Sequence, residues 1–326
     1  MKSIKKLEGK TIVITGASSG VGRAIAIAFA KHKTKIVLAA RNAHALNEVE
    51  AECKQMGSVA IAVTTDVTDA AEVSQLANIA NNFGGSIDVW INNAGVLAAG
   101  PFDETPVEVH DHVINTNLCG YIHGAHAVLP YFKVQGYGLL INNISVGGWF
   151  PTPYAVGYSA SKFGLRGFSE ALRGELLPWP NIRVCDLFPA FLDTPGIQHA
   201  ANYTGRYLKP APPVCDPQKV AKAIIAIVQC PQKSKTIGLP AYFLRAAHTF
   251  FPGFSRFVTA KVMNAYFKTA ESSPATNGNV FEPVEYGTSI YGGWNLPPSN
   301  QQKFLKTTLI TGIIAGCLLI GMKKIK

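Results

Sequence analysis

Short apolar runs alternate with segments of helical periodicity from residue 11 to about residue 240. Apolar runs without polar alternation are typical of strands buried on both faces of a parallel sheet. They predict strands at 11–15, 35–40, 59–64, 87–91, 139–144 and 183–188, and a last strand near 236–239. The helical patterns between them lie at 23–30, 43–56, 70–83, 107–132, 154–177 and 216–229. The alternation predicts an α/β fold, a doubly wound parallel sheet between two layers of helices.

The first predicted strand runs into a glycine-rich turn and then into an alanine-rich helix. Gly16 permits a tight turn, while Gly20 and Gly22 allow close approach without a Cβ. Free N–H groups at the start of the helix favour a bound phosphate. The spacing is G-x-x-x-G-x-G, and it also contains the nucleophile pattern G-x-S-x-G around Ser18. A serine hydrolase is therefore the alternative, but few residues precede the strand to supply its oxyanion hole, so dinucleotide binding is favoured.

Unusual polar residues follow the predicted strands directly. They are Arg41, Asp66, 92–95, Ser145 and 189–194. Ligands of open parallel sheets bind beyond the carboxyl ends of the strands. These positions therefore predict one site along a single edge of the sheet.

Composition narrows the class of partner. The 326 residues are 48% apolar and 15% charged, which allows a sizeable core and excludes global disorder. The net charge is +10, but the basic residues are scattered, which disfavours nucleic acid. An anionic cofactor and an anionic membrane surface explain the charge more simply. The cysteines form no C-x-x-C pair, and His123 and His126 lack a third ligand, so neither disulfides nor a metal site is predicted. We expect no cleaved secretory signal, because no apolar run follows the basic N-terminus.

Several motifs in a fixed order carry a family resemblance. TGASSGVG at 15–22, NNAG at 92–95, Asn117, Ser145 and the YSASK segment at 158–162 resemble the signature of the short-chain dehydrogenase/reductase family. The resemblance covers roughly residues 8–195. It implies a Rossmann-type three-layer fold, a nicotinamide cofactor, and a homodimer or homotetramer.

The candidate catalytic residues combine chemistry and resemblance. Tyr158 and Lys162 are four apart and share a helix face, where an ammonium would lower the phenol pKa and suit it to acid–base work. Ser145 could hold a substrate oxygen opposite Tyr158. The resemblance implies that Tyr158 transfers the proton, Ser145 orients the oxygen and Lys162 contacts the nicotinamide ribose. It implies a water-linked proton relay for Asn117, which its spacing to Gly120 favours over Asn115.

The cofactor preference depends on Arg41, which stands where an acidic residue would grip the ribose of NAD(H). A guanidinium binds a 2′-phosphate well, so NADP(H) is predicted over NAD(H); stacking on adenine is the alternative for Arg41. In the segment 189–194, Ala190 replaces a family glycine, which predicts a slightly reshaped nicotinamide pocket. The resemblance implies cofactor contacts from Gly16, Ser18, Ser19, Gly20, Val21, Gly22, Arg41, Asp66, Val67, Asn93, Ala94, Gly95, Tyr158, Lys162 and Thr194.

The chain is predicted to divide into a catalytic domain at 1–240 and a C-terminal extension. Within the domain, 190–215 is the substrate loop, where His199, Tyr203, Tyr207 and Leu208 suggest an apolar lid. The aromatic and basic segment 241–270 reads either as a helical flap on the core or as an amphipathic membrane-touching surface. A polar linker follows at 271–303. The apolar stretch at 304–323 is a transmembrane anchor, with a partner-binding helix as the alternative.

Together these features predict an NADP(H)-dependent oxidoreductase that interconverts a carbonyl and a secondary alcohol on a lipophilic substrate. A single C-terminal anchor would hold it to membrane lipid, with the catalytic domain on the cytoplasmic side. The alternative is a non-catalytic NADP(H)-binding scaffold or sensor at a membrane.

Overall fold

A parallel seven-stranded sheet forms the centre of the molecule, which the computed structural model describes over residues 7–294. The sheet has the order β3-β2-β1-β4-β6-β7-β9 and every pairing in it is parallel. Its strands are β1 Thr11–Thr15, β2 Lys35–Ala40, β3 Val59–Thr64, β4 Val89–Asn92, β6 Gly138–Asn143, β7 Ile182–Pro189 and β9 Ser234–Ile237. The short strands β5 Ala98–Ala99 and β8 Ala201–Asn202 pair separately.

Helices cover both faces of the sheet, which confirms the predicted three-layer Rossmann-type fold. They are α1 Gly20–Ala30, α2 Ala43–Gln55, α3 Ala70–Gly84, α4 Val107–Ile114, α5 Gly120–Gln135, α6 Val156–Glu175, α7 Gln218–Gln229, α8 Leu239–Phe250 and α9 Pro252–Thr269. One apolar core lies beneath α1, α2 and α7, and a second lies beneath α3, α5 and α6. Strand β1 is fully buried because it faces both cores, with Ile12 and Ile14 in the first and Val13 in the second. This burial explains its uninterrupted apolar sequence.

The strand order reverses between β1 and β4. From β1 the chain adds β2 and then β3 on one side, and β4 and the later strands of the sheet lie on the other side of β1. Loops that leave the two strands therefore diverge and open a crevice at their carboxyl ends. The predicted polar positions all surround this crevice.

The prediction of a single helix at 107–132 is wrong in one respect. A π-helical turn at Asn115–Cys119 separates α4 from α5. Such wide turns are rare and often mark functional sites, and this one contains Asn117.

The C-terminal residues depart most from prediction. Helices α8 and α9 occupy the segment for which a helical extension is predicted, but the linker predicted at 271–303 is wrong for 271–294. Residues 277–294, which we call the strap, run back over the carboxyl edge of the sheet, and Val280 is completely buried there. Within residues 7–294, no helix is long and apolar enough to cross a membrane. The anchor predicted at 304–323 lies outside the described residues.

Candidate active site

The glycine turn after β1 is too tightly packed for side chains. A Cβ on Gly22 would lie 2.0 Å from the carbonyl oxygen of Gly16, and one on Gly16 would lie 2.7 Å from the Cα of Ala94. Gly16 and Gly20 also adopt positive φ, 65° and 52°. The turn therefore needs glycine at all three positions, and it brings the start of α1 to the crevice.

Asn93 holds this turn in place from the end of β4. Its Nδ2 donates to the carbonyl oxygens of Thr15 at 3.0 Å and Gly16 at 3.1 Å. Its Oδ1 accepts from Asn143 Nδ2 at 2.8 Å, which links β1, β4 and β6. The Thr15 hydroxyl accepts from the backbone N–H groups of Asn93 and Ala94. These side chains fix the floor of the crevice.

Ser145 and Tyr158 meet at the other end of the crevice. Ser145 lies two residues after β6 with a φ of 116°, an uncommon value for a residue with a side chain, and its Oγ accepts from the Gly147 N–H at 3.1 Å. The side chains of Ser145 and Tyr158 line the same cavity, and Ser145 lowers the pKa of the Tyr158 phenol. A Cβ on Gly147 would lie 3.0 Å from the Tyr158 ring, so this glycine leaves room for the phenol.

Lys162 is buried beside two aromatic rings, and burial changes the pKa of both Lys162 and Tyr158. Its Nζ lies 5.0 Å from the ring centre of Tyr121 and 5.6 Å from that of Tyr158. Burial lowers the pKa of Lys162 to about 7. Burial also raises the pKa of Tyr158, and Ser145 offsets this only in part. The pKa of Tyr158 is therefore raised in this arrangement, opposite to the expected direction, and burial is the largest cause.

Asn117 lies behind the crevice, and its amide is used to hold a loop. Its Oδ1 accepts from the Val96 N–H at 2.8 Å, and its Nδ2 donates to the Val96 carbonyl at 2.8 Å. A Cβ on Gly95 would meet Asn117 Oδ1 at 3.0 Å and Lys162 Nζ at 3.8 Å. Asn117 therefore positions the loop that abuts Lys162, while Asn115 is exposed.

The crevice is a cavity of about 420 Å³. It is lined by Ser145, Tyr158 and Lys162, and by every residue of the predicted cofactor set except Gly22, whereas Asn117 lies outside its lining. Three buried polar atoms among its lining residues have no hydrogen-bond partner: Thr116 Oγ1, Asn143 Oδ1 and Asn279 Oδ1. Such atoms call for partners on a ligand. The tight glycine turn, the unpaired acceptors and the shape of the lining fit a dinucleotide.

The cavity lining also includes apolar side chains. They are Phe150, Ala155, Phe191, Ile197 and Pro210. The methyl group of Ala190 lies 3.1 Å from the position that a Cβ on Gly238 would take, so the absent side chain at Gly238 accommodates the methyl.

The apolar lid predicted in the substrate loop is only partly formed. His199 lines the cavity, but Tyr203 and Tyr207 bind the C-terminal extension instead. The Tyr203 hydroxyl bonds to Asn277, and the Tyr207 N–H donates to Glu271. The Tyr203 side chain and the Tyr207 backbone therefore anchor later residues of the chain.

Arg41 lies at the opposite end of the cavity and already has partners. Its guanidinium donates to the carbonyl oxygens of Asn279 at 2.5 Å, Phe281 at 2.7 Å and Val280 at 3.3 Å. The strap also supplies lining residues that the sequence reasoning missed: Asn279, Pro283, Val284, Tyr286, Gly287 and Thr288. The available signal was the density of large apolar and aromatic residues in this segment, which is unusual for a free linker.

Among residues 7–294, no three His, Cys, Asp or Glu side chains are grouped so that they could hold a metal ion. His123 lies with its Nδ1 2.9 Å from the Val67 carbonyl.

Comparison with known proteins agrees with this geometry. The short chain dehydrogenase family matches residues 10–203. The oxidoreductase YxnA of Bacillus subtilis (strain 168) is 31% identical, and the match spans 96% of this chain and 90% of that protein. An oxidoreductase of Staphylococcus aureus (strain USA300) is 34% identical over 69% of this chain and 94% of its own.

Among solved structures, an alcohol dehydrogenase from Thermococcus sibiricus in complex with 5-hydroxy-NADP is similar, with a TM-score of 0.61 and 27% identity. The similarity covers 70% of this chain and 95% of that one. Fold, site and relatives agree, and the chain belongs to the short-chain dehydrogenase family as an oxidoreductase that acts on CH–OH and C=O groups with a nicotinamide cofactor.

Proposed function

We propose that the chain is an NADP(H)-dependent oxidoreductase that interconverts a lipophilic carbonyl compound and its secondary alcohol. The observation that carries the proposal is the pair Ser145 and Tyr158, which line one end of a cavity whose other end holds Arg41 and whose lining includes apolar side chains such as Phe150. The pair supplies acid–base chemistry for an oxygen atom, and the apolar lining suits a hydrocarbon body around that oxygen.

In the direction of reduction, Tyr158 Oη donates a proton to the carbonyl oxygen while the Ser145 hydroxyl donates a hydrogen bond to it. The bound nicotinamide supplies the hydride to the carbonyl carbon, or accepts it in the reverse reaction. Burial raises the pKa of Tyr158, so the phenol holds its proton at neutral pH and is ready as an acid. Oxidation needs the phenolate and is therefore favoured by higher pH.

The preference for NADP(H) rests on Arg41, which follows β2 directly and places a guanidinium at the cavity end. A guanidinium forms charge-assisted bonds to phosphate, whereas a carboxylate there would repel it. Three carbonyls of the strap share this side chain. The 2′-phosphate would then bind the remaining donors beside the strap.

The lipophilic substrate is also supported by the surface of α8. Leu239, Tyr242, Phe243, Ala246 and Phe250 recur at helical spacing and are all exposed, Phe243 at 72% and Phe250 at 73%. The opposite side of α8 packs on the core through Ala241 and Leu244, next to Val146 and Phe150 at the substrate end.

An anionic bilayer fits this surface, which we call the α8–α9 face: the exposed apolar side of α8 together with Phe254 and Phe257 of α9. Residues 239–270 contain Arg245, Arg256, Lys261 and Lys268 but no Asp or Glu. Basic side chains around exposed aromatic ones are typical of interfacial helices. We therefore propose membrane lipid as a partner, with 304–323 as the anchor and the catalytic domain on the cytoplasmic side. A homodimer or homotetramer is proposed from the family alone.

The test is a titration of the full-length protein in detergent with NADPH and with NADH, followed by nicotinamide fluorescence, and then a screen of lipophilic ketones. We expect tighter binding of NADPH, together with turnover that Tyr158→Phe lowers by about 10²–10⁴-fold while NADPH still binds. If Tyr158→Phe retained full biological function, the non-catalytic scaffold would be the better description. If neither cofactor bound, the proposal would fail.

A further inference from the structure

The strap is bound to three separate parts of the site. At the end of β2, Arg41 donates to its carbonyl oxygens and Asn42 Nδ2 donates to the Val284 carbonyl at 3.0 Å. At the glycine turn, the Gly20 N–H donates to the Ser289 carbonyl at 2.9 Å. The strap therefore crosses the mouth of the cavity from the Arg41 end to the phosphate-binding turn.

The third attachment lies beyond β7. Asp193 Oδ1 accepts from the backbone N–H groups of Gly292 at 3.1 Å and Trp294 at 2.8 Å. The Trp294 indole donates to the Thr194 carbonyl at 3.0 Å. Asp193 is buried, so these bonds form away from bulk solvent and hold the far end of the strap.

The strap lines the cavity without filling it. Strap residues such as Val284 and Tyr286 and the glycine turn line the same cavity, whose volume is about 420 Å³ in all. Asn279 belongs to the strap and to the lining, and its buried Oδ1 has no partner within residues 7–294. A ligand beneath the strap would supply a hydrogen-bond donor to this acceptor.

The close approach of the strap depends on its glycines. A Cβ on Gly278 would lie 2.2 Å from the His199 carbonyl oxygen and 2.5 Å from the Ala200 carbonyl carbon. Because both are backbone atoms, no side-chain rotation could relieve the overlap. At Gly293, which also has positive φ, a Cβ would meet no atom within 4 Å.

This element lies beyond the part of the chain that the family shares. The family match ends at residue 203, and the Thermococcus sibiricus enzyme corresponds to 70% of this chain although 95% of its own length is covered. The YxnA match spans 96% of the chain, so it takes in the strap. The strap therefore lies outside the family match, in a part of the chain over which the similarity to YxnA extends.

We infer that the strap is a cofactor-binding element that encloses the adenosine and phosphate half of the dinucleotide, so that the cofactor leaves only when the strap lifts. The inference rests on the proposed function, because it assumes that a dinucleotide occupies the cavity. Arg41 would connect the strap to the cofactor, since its guanidinium holds the strap carbonyls at the cavity end where the adenosine phosphate would lie. A dinucleotide that binds only under the closed strap stabilises the closed state of the strap, and the closed strap in turn slows release of the dinucleotide.

The experiment compares Gly278→Ala with Gly293→Ala in the full-length protein. Each variant adds one methyl group at a strap glycine with positive φ, but only the first creates a backbone overlap. NADPH is bound, excess NADP⁺ is added, and the release of NADPH is followed by its fluorescence. We expect Gly278→Ala to release NADPH about tenfold faster or more, and Gly293→Ala to stay within about threefold of the wild type.

A second measurement needs no variant. Hydrogen exchange at the amides of Gly292 and Trp294 should slow when the wild type binds NADPH, because closure protects these N–H groups. Tight NADPH binding with unchanged release in Gly278→Ala and unchanged exchange would overturn the role of the strap and leave the proposed function intact. Failure of the wild type to bind any nicotinamide dinucleotide would overturn both.

Discussion

Replacement of Asn117 by alanine tests whether this residue acts in the chemistry or holds the loop beside it. The side chain is completely buried and forms two 2.8 Å hydrogen bonds to the N–H and the carbonyl of Val96. Alanine would leave both backbone groups buried without a partner, at about 1–3 kcal/mol each. We therefore expect Asn117→Ala to lower the free energy of unfolding by about 2–5 kcal/mol.

The assay is thermal or urea unfolding of the full-length protein, measured beside NADPH binding and turnover. Asn115→Ala is the matched control, because Asn115 is exposed in the same π-helical turn and should change stability by less than about 0.5 kcal/mol. Turnover should fall with Asn117→Ala as well, since the loop at Gly95 abuts Lys162. A variant as stable as the wild type but inactive would refute the positioning role and favour the proton relay that the family resemblance implies.

Three other properties of the site and one of the α8–α9 face can be tested in the same protein. Burial lowers the pKa of Lys162 in the folded protein to about 7, so between about pH 7 and 10 the unfolded chain binds more protons than the folded one. The contribution of Lys162 to the free energy of unfolding should therefore rise with pH across that range. Urea unfolding at a series of pH values should show the rise in the wild type, and Lys162→Met should abolish it. Because burial raises the pKa of Tyr158, the rate of ketone reduction should stay constant through neutral pH and decline only above the pH at which a free phenol ionises. A pH–rate profile measures this, and a decline near neutral pH would contradict it. Arg41→Ala should weaken NADPH binding by about 10–100-fold and NADH binding by less, because both cofactors lose the strap contacts but only NADPH loses the phosphate contact; equal losses would contradict phosphate recognition. Phe250→Ser should weaken binding to vesicles that contain anionic lipid, while Leu177→Ser, exposed at 79% on another surface, should not; equal effects would contradict the α8–α9 face.

Much of the sheet could be predicted from the sequence because its strands are buried on both faces. The run at 11–15 is apolar throughout since β1 faces both cores, and the predicted bounds of β1, β2 and β3 match the structure. The glycine turn was recognisable for a similar reason. Its backbone must approach other backbone closely, and only glycine allows that at positions 16 and 22.

The π-helical turn could not be read from apolar periodicity. A single residue added to one helical turn shifts the pattern too little to break a helix prediction that spans 107–132. The pKa of Tyr158 was mispredicted for a different reason. Spacing along a helix places Lys162 on the same face, but it does not show that both groups are so deeply buried that desolvation controls their charge.

The strap shows the limit of side-chain patterns most clearly. Its contacts with Arg41 and the glycine turn are made through carbonyl oxygens, which every residue carries and no sequence pattern distinguishes. Its glycines suggest a linker in spite of its aromatic residues, but the same glycines that would loosen a free chain permit close packing here.

The two additions to the family fold lie at opposite ends of one cavity. The strap closes the end at Arg41, where an anionic cofactor would bind, and α8 covers the end near Phe150, where an apolar substrate would bind. Arg245 of α8 lies 3.8 Å above the Trp149 ring, so α8 is fixed to the segment that follows Ser145. The strap also bonds to the substrate loop, where Gln198 Nε2 donates to the Gly292 carbonyl at 2.8 Å and His199 Nε2 lies 3.0 Å from the Tyr286 carbonyl. If a lipophilic substrate arrives across the α8–α9 face, as proposed, it approaches from a different side than the dinucleotide. Its binding beside the substrate loop would nevertheless be felt by the strap, because the two segments are bonded to each other.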